Sequence, residues 1–369
     1  MLNEIQRFDP EVPIEEAVTP PSSWYIGPGF LEVERQTVFR RSWQAVGRLD
    51  QVPGNGDYFT GQFMGEPYVV VRDHGGVLRA FYNVCRHHAA GVAQETGSLE
   101  EFVCPYHSWT YRLDGRLKRA PRMGGVRCFD REEFNLIPLA VDSWGPLVFV
   151  HFGPEPSRLT EELRPLHRWL VETELEGLTF VARRTYELAC NWKVYVDNYL
   201  DGGYHVDTLH RGLASQLDLS SYETRVEGRT CIQTVTSGGS GPEVGCDFGE
   251  RVGGGAVYAW VYPNLMLNRY GPVLDTNWTL PLGPDRCAVV FDYFFENPHD
   301  ARFIDDCLKA SHQVQEEDIE VCESVQRGLG STAYQVGRYA PRVEMGEHHF
   351  HRLLASDLRR SAEGVPAPG

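Results

Sequence analysis

Residues 83–88 read NVCRHH and residues 102–115 read FVCPYHSWTYRLDG. A Cys-x-His pair, Cys85 and His87, is therefore followed within one short stretch by a Cys-x-x-His pair, Cys104 and His107. On either side, from residue 43 to 152, short apolar runs such as QAVGRL, DYFTGQF, PYVVVRD, LRAFYNV and PLVFVHF are broken by Gly, Pro and Asp turns. That is the pattern of an all-β module built of hairpins, and it puts the two pairs at the tips of two β-loops. Two thiolates and two imidazoles can hold one zinc ion, but Cys-x-His does not match the usual spacing of zinc fingers.

A [2Fe–2S] centre of the Rieske type takes the same four ligands differently, two Cys on one iron and two His on the other. One Cys and one His from each loop meets that need. His88 beside them reads as a supporting or surface histidine, and Trp109 as a buried aromatic able to shield a cluster.

The chain has 369 residues, more than one core usually serves. The expected division is an N-terminal arm and helix over 1–42, the β module over 43–152 and a second domain over 153–369. In the last, helical patterns at 158–176, 191–216 and 302–328 alternate with strands such as FVARRTYELA, AVYAWVYP, MLNRYG and AVVFDYFFEN. This predicts an α+β domain, an antiparallel sheet with helices segregated from it. The tail SAEGVPAPG is a short segment of low complexity.

A net charge of −16 without clustered Lys and Arg argues against nucleic acid or anionic membranes as partners. No apolar run is long enough to cross a bilayer, and MLNEIQRFDPEVPIEEAV has no signal-peptide or transit-peptide pattern, so a cytoplasmic location is expected. Nine unevenly spaced cysteines fit a reducing compartment; apart from Cys85 and Cys104 they read as small buried hydrophobes.

The stretch DNYLDGGYHVDTLH, residues 197–210, concentrates acids and histidines. His205 and His210 are five residues apart, which is about 140° around a regular helix, so they cannot chelate from one. A π-bulge or a break would bring them together, and Gly202–Gly203 is a plausible source. Two imidazoles and one carboxylate with open positions form the facial triad of non-haem Fe(II) oxygenases. In QVQEEDIEVCESVQRGL, Asp318 alone among the three acids Glu316, Glu317 and Asp318 lies in an apolar stripe, with Val314, Val321, Cys322 and Val325. A carboxylate turned into a core is costly unless paired or on a metal, which selects Asp318.

With both constellations in view, CRH…CPYHSW followed by the His205, His210 and Asp318 set resembles the Rieske non-haem iron oxygenases. Over residues 20–355 the chain looks most like their choline monooxygenase branch, through SSWY, VFRRSWQ, NVCRHH, FVCPYHSWTYRLDG, WGPLVFV, CNWKVYVDNYLDGGYHV, YPNLMLNRYGP, EDIEVCESVQRGL and HHFHRLL. The family has Gly where this chain has Ser108, so a different backbone is expected there.

The resemblance implies a helix-grip type catalytic domain and O2-dependent hydroxylation at a mononuclear Fe(II). Electrons would come from NAD(P)H through a separate ferredoxin or flavin reductase. It also implies a head-to-tail homotrimer, in which an acid of the iron helix links a cluster histidine of one subunit to an iron histidine of the next. That acid is commonly three residues before the first iron histidine, where this chain has Gly202. Asp201 is the candidate instead, between His107 across the interface and His205, unless the bridge runs differently here. Asp197 is a supporting acid near the iron, and Asp207 faces solvent.

The resemblance further implies a quaternary ammonium substrate, choline, oxidised to betaine aldehyde. Tyr258, Trp260 and Tyr262 alternate on one strand, and with Tyr270 and Tyr293 they could surround such a cation or form an ordinary core. Demethylation of a betaine-type compound and hydroxylation of an aromatic one are the alternatives within the class. A pure electron carrier would lack the second domain, and an inert zinc-binding scaffold would give a colourless protein. His348, His349 and His351 in HHFHRLL read as structural or substrate-side residues.

Overall fold

The computed structural model describes residues 2–154, 156–238 and 254–360; the C-terminal low-complexity segment lies outside them. The chain divides into two compact units, Arg40–Leu159 and a second made of Met1–Phe39 with Thr160–Gly369.

The first unit is all β. Strands β1 (Gln44–Arg48), β2 (Asp57–Phe63), β3 (Glu66–Arg72), β4 (Leu78–Tyr82), β5 (Thr96–Ser98), β6 (Phe102–Val103), β7 (Thr110–Tyr111), β8 (Leu117–Arg119), β9 (Pro138–Trp144) and β10 (Leu147–His151) form two antiparallel sheets. The larger has the order β1-β10-β9-β4-β3-β2-β5 and the smaller β6-β7-β8. Val69, Val71, Phe81, Phe102, Trp109 and Tyr111 bury a core that includes Cys85 and Cys104. The two ligand loops follow β4 and β6, so their ends are fixed by strands while their tips reach the surface.

In the second unit, strands β11 (Thr179–Leu188), β12 (Leu217–Glu227), β13 (Thr230–Ser237), β14 (Gly255–Val261), β15 (Leu265–Tyr270), β16 (Val273–Gly283) and β17 (Arg286–Phe295) form one antiparallel sheet. Its order is β11-β17-β16-β15-β14-β13-β12: six strands run as a meander and β11 joins at the β17 edge. Helices α1 (Phe30–Thr37), α2 (Trp192–Leu200), α3 (Val206–Leu209), α4 (Ala301–Leu329) and α5 (Met345–Arg360) belong to the same unit.

Two predicted helices are shorter than expected. The segment 158–176 is only Leu159–Glu162, a 3-10 turn Arg164–Arg168 and Glu172–Leu175, since Pro165 lacks the donor a continuous helix needs. The segment 191–216 stops at Leu200, resumes as α3 and ends in Arg211–Ala214. The Asn191 side chain caps α2 by accepting from Lys193 N–H at 3.0 Å, and the Asp300 side chain caps α4 by accepting from Phe303 N–H at 3.1 Å. Lys193 is fully buried, and its Nζ is 2.5 Å from the equally buried Glu34 Oε1 of α1, which also takes the Trp192 Nε1 proton at 2.8 Å through Oε2. The N-terminal arm is thereby tied to the helix that leads into the histidines.

Candidate functional site

The two ligand loops of the β unit are built alike. Cys85 N–H donates to Ala90 O at 2.8 Å and Ala89 N–H to Cys85 O at 2.9 Å; Cys104 N–H donates to Trp109 O at 2.8 Å and Ser108 N–H to Cys104 O at 3.0 Å. Each loop turns through one left-handed residue, Ala89 with φ 61° and Ser108 with φ 57°. Ser108 thus sits in the left-handed region although it is not glycine. Serine holds this conformation, which glycine reaches freely, at about 1–2 kcal/mol, kept by its own N–H and by Thr110 Oγ1 donating to its carbonyl at 3.2 Å.

Cys85 and Cys104 are buried, His87 half-buried and His107 exposed. The His87 and His107 rings are 4.6 Å apart, and His87 stacks on Trp109 at 4.7 Å with 5° between planes. His87 Nδ1 is buried with no hydrogen-bond partner, an atom that a metal would satisfy. Burial, with His88 and His107 alongside, pulls the His87 pKa down and favours the neutral imidazole that ligation needs. Burial pushes the Cys85 thiol up, opposed by Tyr111, whose hydroxyl is 3.3 Å from Cys85 Sγ and accepts Arg86 N–H at 3.0 Å.

In the second unit α2 ends where Asp201 begins a turn through Gly202 (φ 71°) and Gly203 (φ 76°). The Asp201 carboxylate accepts the N–H groups of Gly203, Tyr204 and His205 at 2.9, 3.1 and 3.0 Å. His205 and His210 then flank α3, one at each end. Their Nε2 atoms are 3.1 Å apart, and Asp318 Oδ1 is 3.1 Å from His210 Nε2 and 3.8 Å from His205 Nε2. Three donor atoms about 3–4 Å apart, one of them anionic, suit a single ion about 2 Å from each.

The opposite ring nitrogens fix this arrangement. His205 Nδ1 is 2.6 Å from Asp201 Oδ2, and His210 Nδ1 is 2.6 Å from Glu317 Oε2. Asn198 of α2 donates to Asp318 Oδ1 at 2.8 Å. Both imidazoles are thus set with Nδ1 protonated toward a carboxylate and Nε2 turned inward.

A cavity opens from this triad toward the sheet. Directly opposed residues Gln233, Tyr258, Asn268 and Asp275 form one row across β13–β16, and α2 supplies Tyr195 and Tyr199 from the other side. Asp275 is buried, and its Oδ1 accepts from Asn268 Nδ2 at 2.6 Å. Tyr199 donates to Asn268 Oδ1 at 2.7 Å. Burial holds the Tyr195, Tyr199 and Tyr222 hydroxyls well above their usual pKa, so all three remain neutral.

Residues 42–130 match the Rieske [2Fe–2S] domain, and residues 175–359 match the catalytic domain of the ring hydroxylating alpha subunit. The chloroplastic choline monooxygenase of Arabidopsis thaliana is 48% identical over 96% of this chain and 86% of its own. The chain belongs to the Rieske non-haem iron oxygenases. As a member of the monooxygenases of this family it uses a [2Fe–2S] cluster, a mononuclear iron, O2 and electrons from a reductase. The carnitine monooxygenase oxygenase subunit of Escherichia coli K12 is 30% identical over 92% of this chain and 94% of its own. A quaternary ammonium Rieske monooxygenase solved with L-carnitine superposes with a TM-score of 0.79 at 28% identity, covering 95% of this chain and 97% of its own.

Within this oxygenase the expected substrate aromatics separate. Tyr258 and Tyr270 line the cavity; Trp260, Tyr262 and Tyr293 do not. Trp260 and Tyr262 pack on Phe350 of α5, and the Tyr293 hydroxyl pairs with Ser311 of α4 at 2.8 Å. They share a strand or a sheet with Tyr258, but helices cover that part of the sheet. Tyr195, Tyr199, Tyr222 and Phe291 take their places.

Asp197 also differs from expectation, because it does not line the cavity. It accepts the Tyr25 hydroxyl at 2.7 Å and is 3.0 Å from His351 Nε2, while His351 Nδ1 is 2.7 Å from the Tyr339 hydroxyl. Asn198, one residue further round α2, is the residue that reaches Asp318. Asp207 is exposed. Glu317, weighed in the sequence only as a rival to Asp318, instead holds His210. Asp275, Asn198 and Gln315 carried no mark in the sequence reading.

Proposed function

We propose that this oxygenase hydroxylates a small quaternary ammonium alcohol, choline, at its hydroxyl-bearing carbon to give betaine aldehyde hydrate. The observation that carries this reading is the charge of the cavity. Its lining includes buried Asp275 and several tyrosine rings but, among the described residues, no Lys or Arg. A quaternary ammonium is attracted to each ring face by about 0.5–2 kcal/mol and to the negative charge of a carboxylate such as Asp275. A substrate carboxylate would find no Lys or Arg among the described lining residues.

Cys85, His87, Cys104 and His107 would hold the cluster, and His205, His210 and Asp318 the iron. When bound, these groups store and deliver electrons and supply the site at which O2 is reduced. The chain's own residues do the rest. Asp201 and Glu317 orient the two imidazoles, Asn198 turns the Asp318 carboxylate, and the tyrosines exclude water while keeping their protons. We further propose that Asp201 bridges His205 to His107 of the partner subunit in a homotrimer. The reading of Asp201 is supported by its contact with His205 and by the absence of space for any acid at Gly202.

Electrons from NAD(P)H would arrive through a ferredoxin or flavin reductase, and the setting would be cytoplasmic. No helix among the described residues is long and apolar enough to cross a membrane.

The test is substrate-dependent O2 consumption by the metal-loaded enzyme with a reductase, offered choline, carnitine, glycine betaine and benzoate in turn. Choline should stimulate consumption and yield betaine aldehyde. Stimulation by the carboxylates, with none by choline, would overturn the reading.

A further inference from the structure

Gln315 lies on α4 one turn before Asp318, a spacing that puts both side chains on one helix face. It lines the cavity and is only 1% exposed. Its Oε1 accepts from the Tyr195 hydroxyl at 2.8 Å, and that hydroxyl in turn accepts from Asn277 Nδ2 at 3.5 Å. In this pairing the amide turns its oxygen to Tyr195. Its Nε2 is then buried with no hydrogen-bond partner. Buried donors are rarely left unmade, and the cavity that Gln315 and Asp318 both line is the place from which an acceptor can come.

We infer that Gln315 Nε2 donates to the hydroxyl oxygen of the substrate and so places the oxygen-bearing carbon, rather than an N-methyl group, at the iron. The inference rests on the choline reading. Choline offers one hydrogen-bond acceptor, its hydroxyl; the trimethylammonium end offers none. With the hydroxyl held beside Asp318, the cation is left to the rings and to Asp275 on the sheet side. Gln315 is a positioning residue in this account.

The two orientations give different products. At the carbinol carbon, a C–H bond is replaced by a C–OH bond from O2, and the second oxygen atom leaves as water, using two protons and two electrons from the reductase. The resulting geminal diol is the hydrate of betaine aldehyde. At an N-methyl carbon, the same stoichiometry gives an N-hydroxymethyl group, which breaks its C–N bond to release formaldehyde and dimethylaminoethanol.

The experiment compares choline with propyltrimethylammonium, in which a methyl group replaces the hydroxyl. Dissociation constants and products are measured for the wild-type enzyme and for Gln315→Met, with cluster absorbance and iron content as controls. Wild type should bind choline at least about tenfold more tightly and release no formaldehyde from it. Gln315→Met should lose the preference and release formaldehyde. Equal affinity of wild type for the two compounds would overturn the inference even if the variant failed to fold, as would a variant with unchanged preference and product. If wild type bound neither compound, the choline reading itself would fall, and this inference with it.

Discussion

Asp201 Oδ2 lies 2.6 Å from His205 Nδ1, while the next residue, Gly202, has no space for a side chain. A Cβ at Gly202 would overlap the carbonyl of Val343. The acid that orients the first histidine is Asp201, and the turn through Gly202 and Gly203 folds it back onto the ring.

Replacing Asp201 by Asn keeps the size and an acceptor oxygen but removes the charge. Iron and cluster contents should stay close to wild type. Oxidation of the reduced cluster in a single turnover with choline should slow by about 10–100-fold, the usual effect of losing such a partner. Rapid-mixing absorbance of the cluster measures it, and an unchanged rate with both metals loaded would remove Asp201 from the electron path.

Gly202→Ala tests the turn itself. With φ at 71° and the Val343 carbonyl in the way, even one methyl group must push the backbone apart. The expected cost is about 2–4 kcal/mol, read as a lowered unfolding midpoint together with loss of iron. Wild-type stability would mean that the turn relaxes freely and does not set the histidines.

Glu317→Ala removes the carboxylate that holds His210 Nδ1. Affinity for Fe(II) should fall by about 10–100-fold. The cluster should be untouched, since its four candidate ligands belong to Arg40–Leu159. Titration of metal-depleted enzyme with Fe(II), with the cluster spectrum as an internal control, measures both.

How much of this could be read in the sequence differs from residue to residue. Cys85, His87, Cys104 and His107 stood out because ligand chemistry restricts both residue type and spacing, and hairpin patterning showed where the loops must be. Asp318 stood out because a carboxylate in an apolar stripe is expensive. Asp275 did not. In VLDTNWTL, alternating Asp275 and Asn277 look like the solvent face of a strand, yet both are buried against the cavity. Tyr258, Trp260 and Tyr262 show the opposite limit. Alternation gives a shared face, but only the packing of Phe350 decides where along it the cavity ends. Ser108 shows that a residue type is a preference, not a prohibition, once backbone hydrogen bonds hold the turn.

The most direct test is a single turnover of the fully reduced, metal-loaded enzyme with choline under isotopically labelled O2, with products and cluster oxidation followed together. The predicted result is cluster oxidation that depends on choline, and betaine aldehyde hydrate whose newly added hydroxyl, trapped before exchange with water, carries the label. Cluster oxidation indifferent to choline, with no aldehyde formed, would contradict it.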